Sequence, residues 1–295
     1  MTKILIFGKN GQLSSQLISQ LCDEHVAVGL DDLNLTNISA LKEFLNGLDF
    51  KPKAIINAAA YTAVDKAEDK GKEINYLLNR DAPVEMAKYC KEKDIPFIYY
   101  TTDYVFDGKG DQPFKEEDTD RLGALGEYGK SKLEAEEEIA KIGGRYMIFR
   151  TSWVYNEVGK NFVATMIRLA KEKEELKIVN DQVGSPTYAK DSAQYTIEIL
   201  EKALKMPEFP SGIYHLVNSG YTTWYDFANL IFDILREKGV ELKIQKVHTT
   251  LTKDYPTPAL RPLNSRLNLD KINRVFGVQP RHYIEALREC MEKML

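Results

Sequence analysis

Tyr128 and Lys132 stand four residues apart in Tyr128-Gly129-Lys130-Ser131-Lys132, which reads as the opening of a helix with both side chains on one face. A free tyrosine has a pKa of about 10, too high for easy proton exchange near neutrality. An ammonium one turn away favours the phenolate and would bring the phenol nearer to useful acidity, which suits a proton donor. The spacing alone says little, because tyrosine and lysine often share a helix face. It gains meaning from Thr101-Thr102-Asp103, which closes a dense apolar run that reads as a strand. The carboxyl edge of a parallel sheet is where such folds bind ligands. A hydroxyl there can hold a substrate oxygen beside the tyrosine, so Thr102, Tyr128 and Lys132 form a candidate hydride-transfer set.

A second candidate site is Gly8-Lys9-Asn10-Gly11-Gln12-Leu13-Ser14, between the first apolar strand and the first helical pattern. Gly8 permits a sharp turn, and Gly11 lets the N–H groups at the helix start approach a pyrophosphate. The next strand ends in Asp31-Asp32, twenty residues after Gly11. A carboxylate there can accept from adenosine ribose hydroxyls and repels a 2′-phosphate, which favours NADH. Lys9 can offset that charge and admit NADPH, so NADPH or NADH is expected.

Strand and helix alternate through the first half. Apolar runs at Ile4 to Phe7, Val26 to Leu30, Ala54 to Asn57, Phe97 to Thr101 and Tyr146 to Phe149 read as strands. Helical patterns lie between them, including Glu73 through Lys91 and Lys130 to Ala140. Strands apolar throughout are those of a parallel sheet covered on both faces. The expected fold is α/β, a Rossmann-like doubly wound parallel sheet with a smaller C-terminal substrate-binding domain. Residues 1–151 form the dinucleotide-binding domain, with about 188–217 returning to it; 152–187 and 218–295 form the substrate domain. In that second part, a strand is expected at Lys243 to Val247 and a last helix from about Arg281.

The 295 residues are 43% apolar and 28% charged, with a net charge of −4, which supplies no basic footprint for nucleic acid. Cys22, Cys90 and Cys290 are widely spaced, without a CxxC, and Cys22 and Cys90 read as apolar fillers of helices. No leader pattern and no bilayer-length apolar run is present, so a soluble cytoplasmic protein is expected, with no membrane or nucleic-acid partner.

Eight segments carry a resemblance over nearly the whole chain. They are GKNGQL at 8–13, NAAAYTAVDKAE at 57–68, TTDYVFDG at 101–108, YGKSK at 128–132, FRTSWVY at 149–155, NDQVGSPT at 180–187, YHLVNSG…TWYDFA at 214–228 and YPTPALRPLNSRL at 255–267. On these the chain resembles the extended short-chain dehydrogenases and, within them, the dTDP-4-dehydrorhamnose reductases. The resemblance implies reduction of the 4-keto group of dTDP-4-dehydro-β-L-rhamnose to dTDP-L-rhamnose by NAD(P)H, with Tyr128 as proton donor. It further implies that Lys132 binds the nicotinamide ribose and tunes Tyr128, and that Thr102 holds the reacting oxygen with Asp103 beside it. Trp153 would pack on the sugar, and Arg261 would meet the substrate pyrophosphate. The cofactor would be lined by Gly8, Asn10, Gly11, Gln12, Leu13, Asp31, Ala60, Tyr61, Thr62 and Tyr100, besides Tyr128 and Lys132.

Two departures from the family pattern matter. Ser14 stands where a third glycine is usual, a place that serves close helix–strand packing. Some members bridge subunits through a magnesium ion held by glutamates, and here Gln16 and Lys190 stand at or near those places. No metal site is therefore expected, and the chain reads as a monomer or weak homodimer. Two other functions fit the same fold: a non-catalytic dinucleotide-binding subunit of the kind that regulates methionine adenosyltransferase, and a nucleotide-sugar epimerase or 4,6-dehydratase. Retention of Thr102, Tyr128, Lys132 and Trp153 together argues for catalysis against the first, and the NAAAYTAVDKAE and RTSWVY segments separate the family from the second.

Overall fold

The computed structural model describes residues 3–22 and 24–295. Its first half runs β1 (Ile4–Phe7), α1 (Gln12–Leu21), β2 (His25–Val28), α2 (Ile38–Asn46), β3 (Ala54–Asn57), α3 (Val64–Ala67), α4 (Lys72–Tyr76), α5 (Ala82–Glu92), β4 (Phe97–Thr102), α6 (Glu127–Ile142) and β5 (Tyr146–Thr151). There follow β6 (Val154–Tyr155), α7 (Phe162–Glu172), β7 (Glu175–Val179), β8 (Val183–Gly184), β9 (Thr187–Tyr188), α8 (Ala189–Ala203) and β10 (Gly212–His215). The chain ends with β11 (Thr222–Thr223), α9 (Trp224–Glu237), β12 (Lys246–Thr250), β13 (Asn264–Ser265), α10 (Asp270–Phe276) and α11 (Tyr283–Met294).

Six strands make one sheet in the order β10-β5-β4-β3-β1-β2. Every pair in it is parallel. The order reverses at β1, so the crevice between the carboxyl ends of β1 and β3 is the natural ligand site of the sheet. One core lies against α1, α8 and α10, with Ile6, Leu17, Ile56, Leu200 and Ile272 in it. Another lies against α2, α5 and α6, with Leu5, Leu41, Ile55, Met86 and Ile139. Consecutive residues of β1 and β3 thus alternate between the two cores, which is why their sequences are apolar without interruption. At the edge β2 is only half-buried, since it pairs on one side.

A third core holds α7, α9 and α11, with Met166, Phe227, Ile231, Leu287 and Met291. Beside it β7 pairs with β12, and β8 pairs with β11 and β13. The chain returns to the main sheet twice, through α8–β10 and again through α10, whose Ile272 and Phe276 enter the first core. No described helix is long and apolar enough to cross a membrane.

Two local expectations are corrected and one is refined. The strand expected at Lys243 to Val247 starts later, because the Lys243 and Ile244 amides bond the Ala170 carbonyl at the end of α7 and bury Ile244 in the third core. The helical run from Glu73 to Lys91 is continuous, but it is α-helical only on either side of a π turn at Leu77–Asp81. Pro83 cannot donate to the carbonyl of Asn79, four residues back, so the ladder widens there. Cys22 is no helix filler: it follows α1 at φ +49°, exposed, whereas Cys90 and Cys290 are buried free thiols.

Under the carboxyl half of the sheet lies a buried ion pair. Glu136 of α6 accepts two bonds from Arg150 Nε at 3.1 Å and one from Arg150 Nη2 at 2.6 Å, and a further bond from the Thr101 hydroxyl of β4. Both partners are about 1% exposed. Breaking such a pair on one side leaves an uncompensated buried charge. Glu136→Gln is expected to cost roughly 3–5 kcal/mol of unfolding free energy, read by urea denaturation; a loss within the error of the method would mean that Arg150 is neutralised some other way.

Candidate active site

The turn at residues 8–14 is built from close backbone approaches. Gly8 has φ +95°, and a Cβ there would lie 2.6 Å from the Ala59 amide nitrogen. Gly11 caps α1 with no side-chain bond, so the first amides of that helix have no protein acceptor and can meet an anion. Asn10 and Gly11 are exposed, and so are Ala60 and Thr62 on the neighbouring β3 loop. Gln12 accepts from Asn161, which ties the turn to the second half of the chain. Leu13 packs against the first core. Ser14 is fully buried, its hydroxyl without a partner in the protein. Asp32 turns back onto its own loop, accepting from the Gly29 amide at 2.8 Å with Lys9 3.5 Å away. Asp31, exposed in the turn after β2, is thereby the free carboxylate of that loop.

Thr102 ends β4. Its hydroxyl donates to Asp103 Oδ1 at 3.0 Å and accepts from the Tyr104 amide at 3.2 Å. Tyr128, the second residue of α6, lies edge-on to Tyr104 with ring centroids 5.7 Å apart. Lys132, one turn on, is 1% exposed and donates to the Tyr99 hydroxyl at 2.9 Å and the Tyr100 carbonyl at 2.8 Å. Tyr99 in turn donates to the Asn79 carbonyl at 2.6 Å, the acceptor that Pro83 leaves unused. The Tyr100 ring goes the other way, into the first core, with its hydroxyl 2.6 Å from Thr196, so only its carbonyl faces Lys132.

The electrostatics reverse the expectation drawn from spacing. Burial pushes the Tyr128 phenol above its ordinary value, the Asp103 charge adds to this, and the Thr102 hydroxyl pulls it back only in part. Burial also brings Lys132 down to about 7, against the attraction of Glu136. The low dielectric favours the neutral form of both groups. Asp103, 2% exposed, is pushed up from 3.8 to about 6 by burial, with the Thr102 hydroxyl acting against this.

A cleft of about 460 Å³ opens beside Tyr104, lined also by Thr62, Val64, Asp65, Lys66 and Arg261. Arg261 is held by Asp65 at 2.8 Å, and its other terminal nitrogen, Nη1, is buried with no partner. Asp65 also accepts from the Ala259 amide at 3.2 Å. Trp153 has φ +48° and stacks on Trp224, centroids 3.5 Å apart and 11° from parallel. A Cβ at Gly184 would come within 2.8 Å of its indole, so the glycine lets the backbone approach the ring closely. Gln16 donates to Asn156 and Glu157, each at 2.8 Å, and Lys190 pairs with Glu289. Among the described residues no group of three or more His, Cys, Asp or Glu side chains is placed to hold a metal.

Residues 1–295 match the family described as RmlD substrate binding domain. The chain belongs to that family. It is 42% identical over 281 residues to a dTDP-4-dehydrorhamnose reductase of Escherichia coli strain K12, covering 93% of this chain and 92% of that one. A solved dTDP-4-dehydrorhamnose reductase of Clostridium acetobutylicum is 35% identical with a TM-score of 0.90, covering 99% of each chain. One from Bacillus anthracis, solved in complex with NADP, is 32% identical with a TM-score of 0.88, covering 99% of this chain and 100% of that one.

Sequence reasoning passed over Asp65, Glu68, Asn79, Tyr99 and Trp224. Pro83 was the available signal for Asn79, and none marked the others, since their partners lie far along the chain.

Asp103 generates a pH dependence. Its folded pKa is raised, so between about pH 4 and 6 the folded protein keeps a proton that the unfolded chain releases. The stabilisation is present below that window and lost as pH rises through it. Asp103→Asn abolishes this titration, so the variant should gain on the order of 1–3 kcal/mol relative to wild type between pH 4 and 7. Denaturation curves across that range read the difference, and a flat difference would contradict a buried, costly carboxylate.

Proposed function

We propose that this chain reduces the 4-keto group of dTDP-4-dehydro-β-L-rhamnose to dTDP-L-rhamnose. The observation that carries the reading is the placing of Tyr128 near the Thr102 hydroxyl at the end of β4, with Lys132 one turn on beneath the Tyr100 carbonyl, in a chain 42% identical to the E. coli reductase. The collisions a Cβ at Gly8 would meet, the uncapped start of α1 and the lysine beneath β4 fit a dinucleotide. Gly8 to Leu13 would hold its pyrophosphate, Asp31 its adenosine ribose, Ala60 to Thr62 and the Tyr100 carbonyl its length, and Lys132 with Tyr128 the nicotinamide ribose. The dinucleotide, NADPH or NADH, supplies the hydride to C4.

As the C4 carbonyl oxygen gains charge, the Tyr128 hydroxyl gives it a proton and becomes phenolate. A raised phenol pKa keeps that proton in place until the oxygen has become the stronger base. Thr102 would hold the same oxygen, and Lys132 would stabilise the phenolate until solvent restores its proton. Arg261, with its unpartnered Nη1, would meet the diphosphate, and Trp153, stacked on Trp224, would pack against the sugar. The site thus needs one substrate, a dTDP-sugar.

The test is loss of reduced-nicotinamide absorbance when NADPH or NADH is mixed with the dTDP-4-keto-6-deoxysugar. Stoichiometric oxidation supports the reading. Binding without oxidation would mark a non-catalytic dinucleotide-binding subunit, and sugar conversion without net oxidation an epimerase or dehydratase. Tyr128→Phe is expected to lower kcat about 100-fold or more while leaving the dinucleotide Kd within about threefold. Wild-type turnover in that variant would remove Tyr128 as the acid.

A further inference from the structure

The α6 helix begins at Glu127, and its capping residue, Gly126, has no side chain to satisfy the first amides. The cap comes from elsewhere in the chain. Glu68 Oε1, at the end of α3, accepts from the Glu127 amide at 2.8 Å across 59 residues. A Cβ at Gly126 would collide with that same oxygen, so the glycine makes room for the carboxylate. The carbonyl of Glu127 is held as well, by Asn75 Nδ2 of α4 at 3.0 Å. Asn75 Oδ1 is fixed in turn by Asn79 Nδ2 at 2.8 Å. The carboxylate of Glu127 is already engaged by Lys72 and Lys130, each at 3.1 Å, and by the Tyr76 hydroxyl at 3.0 Å. It therefore does not compete for the helix end. The residue immediately before Tyr128 is thus gripped at both of its peptide groups by the segment 68–79.

We propose that Glu68 is a positioning residue for Tyr128, acting by capping the first turn of the catalytic helix from outside it. A negative charge at a helix start is favoured by both the free amides and the helix dipole. Tyr128 lies in the turn that frays when the cap is lost. Lys132 lies one turn deeper, and the Glu136–Arg150 pair beyond it holds that part of α6 to the sheet independently. Loss of the cap should therefore misalign the proton donor and spare the lysine and the dinucleotide site. The proposal rests on the reductase reading for its kinetic consequence, though not for its structural one.

The experiment compares Glu68→Ala and Glu68→Gln with wild type. In Glu68→Ala, kcat for keto-sugar reduction should fall about tenfold, with KM and the NADPH Kd within about twofold. Glu68→Gln keeps an acceptor oxygen and should return to within about threefold of wild-type kcat. Hydrogen exchange at the amides of residues 127–130 should speed up in Glu68→Ala and much less in Glu68→Gln. An unchanged kcat in Glu68→Ala would overturn the proposal. So would a fall in kcat matched by equal losses in KM, Kd and melting temperature. If the wild-type protein turns over no keto-sugar, the reductase reading fails while the exchange data still decide the cap: unchanged protection at 127–130 overturns it.

Discussion

The pair formed by Glu136 and Arg150 fixes how α6 sits on the sheet. Tyr128, Lys132 and Glu136 follow one another at helical spacing, so they share one face of α6. Glu136 is anchored to β5 through Arg150 and to β4 through Thr101, and this sets the rotation and height of α6 on the sheet. With that register, Lys132 falls on the Tyr100 carbonyl and Tyr128 beside Thr102. Arg150 also lies 4.8 Å from the Phe106 ring centroid, which extends the anchor under the loop after β4. A buried pair of this kind repays its desolvation only with good geometry. Here the four bonds on Glu136 supply it.

The anchor also explains the electrostatics of the site. Burying α6 against the sheet removes water from Tyr128, Lys132 and Asp103 together, and each shifts toward its neutral form. A neutral phenol is what a proton donor must be before the reaction. A lysine brought down to about 7 responds strongly to any nearby negative charge, such as a phenolate that has just given up its proton. In the proposed reduction, low dielectric would thus prepare the acid and make its counter-charge sensitive at the same time.

The segment from β3 to α5 links the parts of the site. Tyr61 is clamped by Asn79 through its amide and carbonyl, Asp65 holds the Arg261 loop, and Glu68 with Asn75 holds the start of α6. The NAAAYTAVDKAE motif therefore ties together the loop after β3, the start of α6 and the Arg261 loop. Its acidic residues do so by long-range bonds, which a motif read in isolation does not reveal.

Much of this protein was legible in the order of its residues. Uninterrupted apolar strands between helical periods determined a parallel sheet covered on both faces, and Gly8 and Gly11 marked the tight turn into the uncapped start of α1. The spacing of Tyr128 and Lys132 placed them on one helix face, and Thr102 at a strand end pointed to the same edge. Those features are local, because period and turn chemistry depend on a few neighbouring residues. What only the tertiary structure decided depends on distance along the chain and on exclusion of water. The lysine bonds Tyr99 and Tyr100 rather than the tyrosine it was paired with, and the phenol shifts up rather than down. The start of α6 is capped from 59 residues away, and Arg261 is held from 196 residues away. Desolvation is a property of everything packed around a group, so no spacing in the sequence could give its sign.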